Sequence, residues 1–213
     1  MSIKLNISLQ ETQSEIAALI SREVFKMTNR SFSRSVKPIK QLVKQELGNS
    51  VRNQPEWSSL LGGKLRTEFG IPDAFSRLSQ VLNIWLSNIQ VEFHRMSITG
   101  TKMSGGLTIR AVQDNYEDVL SLADSSFVTE KGEELEWLRW LLVEGDRTII
   151  RDYHIQYGQK GRAGPAIMIK KGRWKVPSEF AGNPNNNFVT RAIDQIDSTL
   201  QKEIAGIITN NGN

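Results

Sequence analysis

Ile89-Gln-Val-Glu-Phe-His94 and Leu107-Thr-Ile-Arg-Ala-Val112 decide the fold class. In both, apolar and polar side chains alternate with period 2, the pattern of a strand with one covered face, whereas the apolar stripes before residue 86 recur at three and four residues. The segments flank Thr99-Gly-Thr-Lys-Met-Ser-Gly-Gly106, so the reading is an antiparallel hairpin with a loop longer than a tight turn.

Upstream of the hairpin the chain reads as helices. From Glu11 to Arg30, Ile16, Leu19, Ile20, Val24 and Met27 fall on one side, with Thr12 or Ser14 as N-cap. The polar stretch Asn29–Lys37 interrupts that pattern. Pro38 then opens a second helical segment with Ile39, Leu42, Val43 and Leu47 inward and Gly48-Asn49 as its stop. A short helix around Trp57, Leu60 and Leu61 follows. Ile71-Pro72-Asp73 then starts a stronger one that buries Phe75, Leu78, Val81, Leu82 and Trp85.

Downstream, Tyr116–Leu122 reads as a short helix, Phe127–Thr129 as a scrap of strand, and Glu133–Glu144 as a helix with Gly145 at its C′ position. Strands are expected at Arg147–Tyr157 and Pro165–Lys170. The last element, Phe188–Ile208, is amphipathic through Val189, Ile193, Ile196, Leu200, Ile204 and Ile207. The expected fold class is α+β: N-terminal helices, a small antiparallel sheet and a C-terminal amphipathic helix. A helical region 1–86 and an α+β region 87–213 are the expected divisions, with a soft boundary compatible with a single domain.

The 213 residues contain no Cys, which excludes a disulfide scaffold, a thiolate zinc site, an iron–sulfur cluster and a cysteine nucleophile, and fits assembly in a reducing cytoplasm. Apolar runs such as Trp140-Leu-Leu-Val143 are far shorter than a membrane helix requires, and the N-terminus lacks a signal-peptide pattern. The expectation is a soluble protein inside the cell, away from membranes. The net charge of +4 is unevenly laid out: residues 114–146 hold 10 acidic and 2 basic side chains, and 147–175 hold 8 basic and 1 acidic. Either the two blocks are solvated faces that neutralise each other within one molecule, or one meets the other across a subunit boundary. On the second reading the interface residues are Arg147, Arg151, Lys170 and Lys171 against Glu133, Glu134 and Glu136.

Catalytic patterns are weak. The two histidines, His94 and His154, both sit in strand patterns, and Asp152 shares a face with His154, so a metal or general-base role can be drawn. A strand histidine with no ligand role explains them as well. Gly158–Gly164 lacks the Lys-Ser/Thr ending of a phosphate loop, and Asp114, Glu117, Asp118 and Asp124 fit a solvated surface better than a nuclease cluster. The chain is therefore read as a non-enzyme. Arg22, Lys26, Arg30, Arg34, Lys37, Lys40 and Lys44 recur at three- and four-residue intervals, which places many of them along one flank of successive helices, where they could neutralise phosphates without reading sequence, although an ordinary solvated helix face accounts for them better.

Leu135–Gly145, Arg147–Tyr157, Gly161–Ile169 and Phe188-Val-Thr-Arg-Ala-Ile193 resemble, in order and wording, the minor virion proteins at the head–tail junction of tailed bacteriophages, the neck or tail-completion group. Gln54-Pro-Glu-Trp57-Ser-Ser-Leu-Leu-Gly-Gly-Lys-Leu65 and Phe69-Gly-Ile-Pro-Asp73 are similar to phage structural proteins of the same sort. The resemblance implies a homo-oligomeric ring without cofactor or metal, a hexamer or alternatively a dodecamer. It would sit between portal-side connector proteins and the tail, around the path of exiting DNA. Such a protein is assembled in the host cytoplasm and ends in the virion. A tail terminator, a connector adaptor or a non-specific DNA-binding accessory protein are the alternatives.

Overall fold

The computed structural model describes residues 12–99, 102–113, 115–128, 132, 134–145, 147, 150–161 and 164–211. The chain is mixed α+β, with three two-stranded antiparallel pairs set among helices.

Helix α1, Gln13–Arg52, is one unbroken rod of 40 residues. It starts in a capping box: the Glu15 amide donates to the Thr12 hydroxyl at 3.3 Å and the Thr12 amide to the Glu15 carboxylate at 2.7 Å. The expected interruption at Asn29–Lys37 does not occur, and Pro38 lies inside the helix. The reason is tertiary. Ser31, Ser35, Ile39, Val43 and Leu47 recur every four residues and are all buried, so the polar stretch continues a contact face made of small side chains. Against that face runs the C-terminal helix α7, Phe188–Asn210, capped by Asn187 and Thr190. The Ser50 hydroxyl donates to the Ala192 carbonyl at 2.8 Å and the Ser31 hydroxyl to the Ile208 carbonyl, which fixes the two helices as antiparallel. Gly48 is no stop either. A Cβ there would meet Leu86 at 3.0 Å, so the glycine lets another helix approach.

That neighbour is α4, Ala74–Asn88, reached through α2, Pro55–Gly62, and α3, Lys64–Phe69. Leu78, Val81, Leu82 and Trp85 of α4 are buried as expected, but Phe75 is 74% exposed. Asp73 adopts φ 48° and makes no side-chain cap; at about 100° per residue, Ala74, Leu78, Val81, Leu82 and Trp85 fill one arc and Phe75 falls just beyond its edge.

The hairpin pairs β1, Gln90–Thr99, with β2, Lys102–Arg110. It is longer than expected: pairing reaches Thr99 opposite Lys102, and most of the anticipated loop is strand. Gly105 and Gly106, both at positive φ, sit beside a register shift between His94 and Ser97. A Cβ on Gly105 would lie 2.7 Å from Met96 Cα, so these glycines make a bulge rather than a loop. Helix α5, Glu117–Leu120, a 3₁₀ turn, and the two-residue strands β3, Phe127–Val128, and β4, Glu134–Leu135, follow. The expected helix over Glu133–Glu144 shrinks to α6, Trp137–Leu142, because Leu135 pairs with Phe127 as strand. Trp137, Leu138, Trp140, Leu141 and Leu142 are all buried, which leaves Arg139 as the α6 side chain partly open to solvent. Gly145 packs on the backbone of Gly182 instead of closing the helix. Strands β5, Ile150–Tyr157, and β6, Ala166–Trp174, form the last hairpin.

Buried side chains from 1–86 and from 87–213 pack in one cluster. A small void in it, about 20 Å³ between Trp57, Leu82, Trp85, Trp137 and Phe188, is apolar and water-sized, a packing defect rather than a ligand site.

Candidate interaction surfaces

Helix α1 extends well past the end of α7. Ser31 contacts Ile208 near the last turn of α7, so α7 stops beside the middle of the rod. On one flank of the earlier turns the β1–β2 hairpin packs: the Met96 amide donates to Asn29 Oδ1 at 2.9 Å and Phe32 stacks on Phe93 at 6.2 Å. No described element covers the side facing away from the hairpin. The apolar stripe expected from the sequence is therefore present but bare: Leu19, Ile20, Val24 and Met27 are 55, 60, 43 and 51% exposed. Four large apolar side chains on consecutive turns form a patch of the kind that marks contact sites.

The second surface is the β5–β6 hairpin. Its packed side, its root on the molecule, runs from Trp174 at the open end of the hairpin to Tyr157 beside the connecting turn and is held tightly. Phe69, Trp140 and Trp174 meet edge to face with centroids 5.3 to 6.0 Å apart. The buried Glu68 carboxylate accepts from Trp174 Nε1 at 3.0 Å and from the Tyr157 hydroxyl. Burial, reinforced by Glu68, pushes the Tyr157 hydroxyl above its ordinary pKa, so it stays a donor. Beyond the root, Lys160, Lys170, Lys171, Arg173 and Lys175 are exposed, and none forms an ion pair among the described residues. Arg151 pairs across the ladder with Arg173, which sets like charges in register. Lys171 has φ 82°, an unfavourable region for a side-chain-bearing residue, in the bulge opposite Arg151 and Tyr153; its carbonyl meets His154 Nδ1.

Of the acidic side chains expected opposite these cations, Glu134 and Glu136 are exposed, while Glu133 lies outside the described residues. Glu134 accepts from the Ser126 hydroxyl at 2.6 Å and Glu136 from Arg139 at 3.0 Å. Among the described residues, the contact that joins the two charge blocks is Arg147 to Glu144, 3.8 Å and three residues apart. The structure does not bring Lys170 or Lys171 onto the acidic segment of the same molecule.

The third surface was half legible in the sequence. Arg22, Lys26, Arg30, Arg34, Lys37, Lys40 and Lys44 all lie on α1, and because α1 is continuous they share one rod. The first five are exposed and the last two half-buried. Lys26 pairs with Glu23 at 3.2 Å; the other six form no ion pair among the described residues.

Among the described residues no catalytic arrangement assembles from the sequence candidates. His94 Nε2 bonds the Thr108 hydroxyl at 2.9 Å, a cross-strand structural contact. The side chain of Asp152, like those of Arg151 and Asp114, lies outside the described residues. Asp124 pairs with Arg77 at 3.4 Å. Glu117 and Arg139 border a shallow groove of about 670 Å³, and Arg139 is already engaged by Glu136. Among the described residues no three His, Cys, Asp or Glu side chains are grouped to hold a metal ion, and no helix is long and apolar enough to cross a membrane. One buried ion pair escaped the sequence reading: Glu56 of α2, fully buried, receives Arg191 of α7. No spacing pattern links residues so far apart, so nothing in the sequence marks them as partners. No protein-family model, curated protein or solved structure matches the chain.

Proposed function

We propose that this chain is a structural assembly subunit that joins copies of itself into a ring at the head–tail junction of a tailed bacteriophage, a neck or tail-completion protein without cofactor. The observation that carries the assembly reading is the bare stripe Leu19, Ile20, Val24 and Met27 on the projecting half of α1. A capped helix that shows water several large apolar side chains in line is suited to a partner surface. A head-to-tail ring also needs two different surfaces that fit each other. Arg147 and the cation-bearing β5–β6 hairpin, with Arg151, Lys170 and Lys171, and the acidic segment bearing Glu133, Glu134 and Glu136 supply complementary charge, and among the described residues the ion pair that joins the two blocks is Arg147 to Glu144. Such charges set the orientation of neighbours, and the stripe supplies apolar burial. The placement in a phage neck, in the assembled virion and between connector and tail proteins, rests on the resemblance of residues 54–73 and 135–193 to that group.

Light scattering on the purified full chain tests the reading. The expected result is a discrete oligomer that forms without nucleic acid. Replacing Leu19, Val24 and Met27 by Ser should reduce it to monomer, and charge reversal at Arg147, Arg151, Lys170 and Lys171 should do the same. A monomer at every concentration, or assembly unchanged in both variants, would sink the proposal.

A further inference from the structure

We infer that the cationic side of α1 is a sequence-independent docking surface for the phosphate backbone of duplex DNA. This goes beyond self-assembly and does not depend on it, because its cations lie on a flank that adjoins Ile20, Val24 and Met27, with Leu19 alone of the stripe falling inside the same arc. The decisive observation is the continuity of α1 through Asn29–Lys37 and Pro38. On two separate helices the seven cations would point in unrelated directions. On one rod at about 100° per residue, Arg22, Lys26, Arg30, Arg34, Lys37, Lys40 and Lys44 fall within an arc of about 120° and span roughly 33 Å. That length is close to one turn of B-form duplex, roughly 34 Å.

The neighbours of α1 leave this arc open from Arg22 to Lys37, while Lys40 and Lys44 are half-buried and Leu86 of α4 approaches Gly48 one turn beyond them. Phe32 and Asn29 on one side carry the β1–β2 hairpin, and Ser31, Ser35, Ile39 and Val43 face α7. Six of the seven cations have no acidic partner among the described residues, and Lys26 has Glu23. Apart from Glu23, which falls inside the arc beside Lys26, the ladder is of one sign and carries repulsion that a polyanion relieves by releasing its own counterions. No aromatic side chain of α1 falls within the arc of the ladder. The chemistry therefore supports contact with phosphates and no reading of bases. The apolar stripe lies on the adjoining part of the same rod, so a copy docked there would leave the ladder accessible.

The test is the salt dependence of binding of the full chain to a 30-base-pair duplex of arbitrary sequence, followed by fluorescence anisotropy. With five to seven phosphate contacts, the plot of log affinity against log salt should have a slope of about −4 to −6. Arg22→Glu/Arg30→Glu/Arg34→Glu should flatten that slope by about 3 and weaken binding at least 100-fold at 50 mM salt, on the order expected for three lost contacts with reversed charge. The matching Gln variant should flatten it by a similar amount. Both variants should keep the circular dichroism of the parent and its light-scattering mass, since the changed side chains are exposed and off the stripe. Lys170→Glu/Lys171→Glu should leave the slope unchanged. Absence of binding, a slope unmoved by the ladder variants, a slope moved instead by the hairpin variant, or equal affinity for a poly-glutamate chain of the same charge would each overturn the inference. Loss of assembly with retained DNA binding would count against the ring proposal and not against this one.

Discussion

Arg191→Met is the most informative single change for the fold that presents these surfaces. Glu56 is fully buried, its Oε1 accepts from Arg191 Nη2, and its Oε2 has no hydrogen-bond partner. Arg191 is partly solvated and also donates to Asn186 Oδ1 at 3.1 Å. Removing the guanidinium leaves a dry carboxylate with no compensating charge, a lesion that costs about 3 to 5 kcal/mol. For a chain of this length each kcal/mol moves Tm by about 2 to 4 °C, so the expected drop is on the order of 6 to 20 °C. Replacing both residues, as Glu56→Met with Arg191→Met, removes the stranded charge and should recover most of the loss, because an apolar pair of similar volume is close to neutral. Urea unfolding followed by tryptophan fluorescence reads all four corners of this cycle. A single variant that loses under about 1 kcal/mol, or a double variant no more stable than Arg191→Met, would refute the reasoning.

Gly182→Ala should destabilise by about 3 kcal/mol or more, because the new Cβ would sit 2.1 Å from the Leu141 carbonyl oxygen and 2.8 Å from Asn187 Cβ. An unchanged urea midpoint would contradict it. Asp118→Asn should raise Tm at pH 7. Burial raises the Asp118 pKa above its usual value, so the side chain favours the folded state while protonated, and that contribution is lost as pH rises through the raised value. The gain should vanish in acid below the ordinary carboxylate range; a gain of the same size at both pH values would show that charge is not its cause. Tyr157→Phe removes one of the two described donors to buried Glu68 and should cost about 1.5 to 3 kcal/mol, read as a lower urea midpoint with the hairpin root loosened. Stability equal to the parent would mean the contact contributes nothing.

The strand alternation from Ile89 to Val112 and the stripe from Val189 to Ile207 were legible because each follows a local period that packing reinforces. Asn29–Lys37 was not, since Ser31 and Ser35 look like helix breakers until α7 is laid over them, and small side chains are what a close helix contact uses. The same logic hid Gly48, Gly105 and Gly145. Each looked like punctuation and each is a place where another segment comes close. Glu133–Glu144 carried a helical stripe, but the pairing of Leu135 with Phe127 is a choice that only the tertiary structure makes. Of the interaction surfaces, the charges could be counted in advance. That Lys170 and Lys171 form no ion pair among the described residues, that Leu19 and Val24 are exposed, and that seven cations share one rod all depend on where the elements end.

Electron microscopy of the purified full chain, without nucleic acid, tests the central claim most directly. Closed rings with a central opening, all of one subunit number, are what self-assembly through the α1 stripe and the basic hairpin predicts. A field of isolated particles of 24.1 kDa at concentrations well into the micromolar range would contradict it.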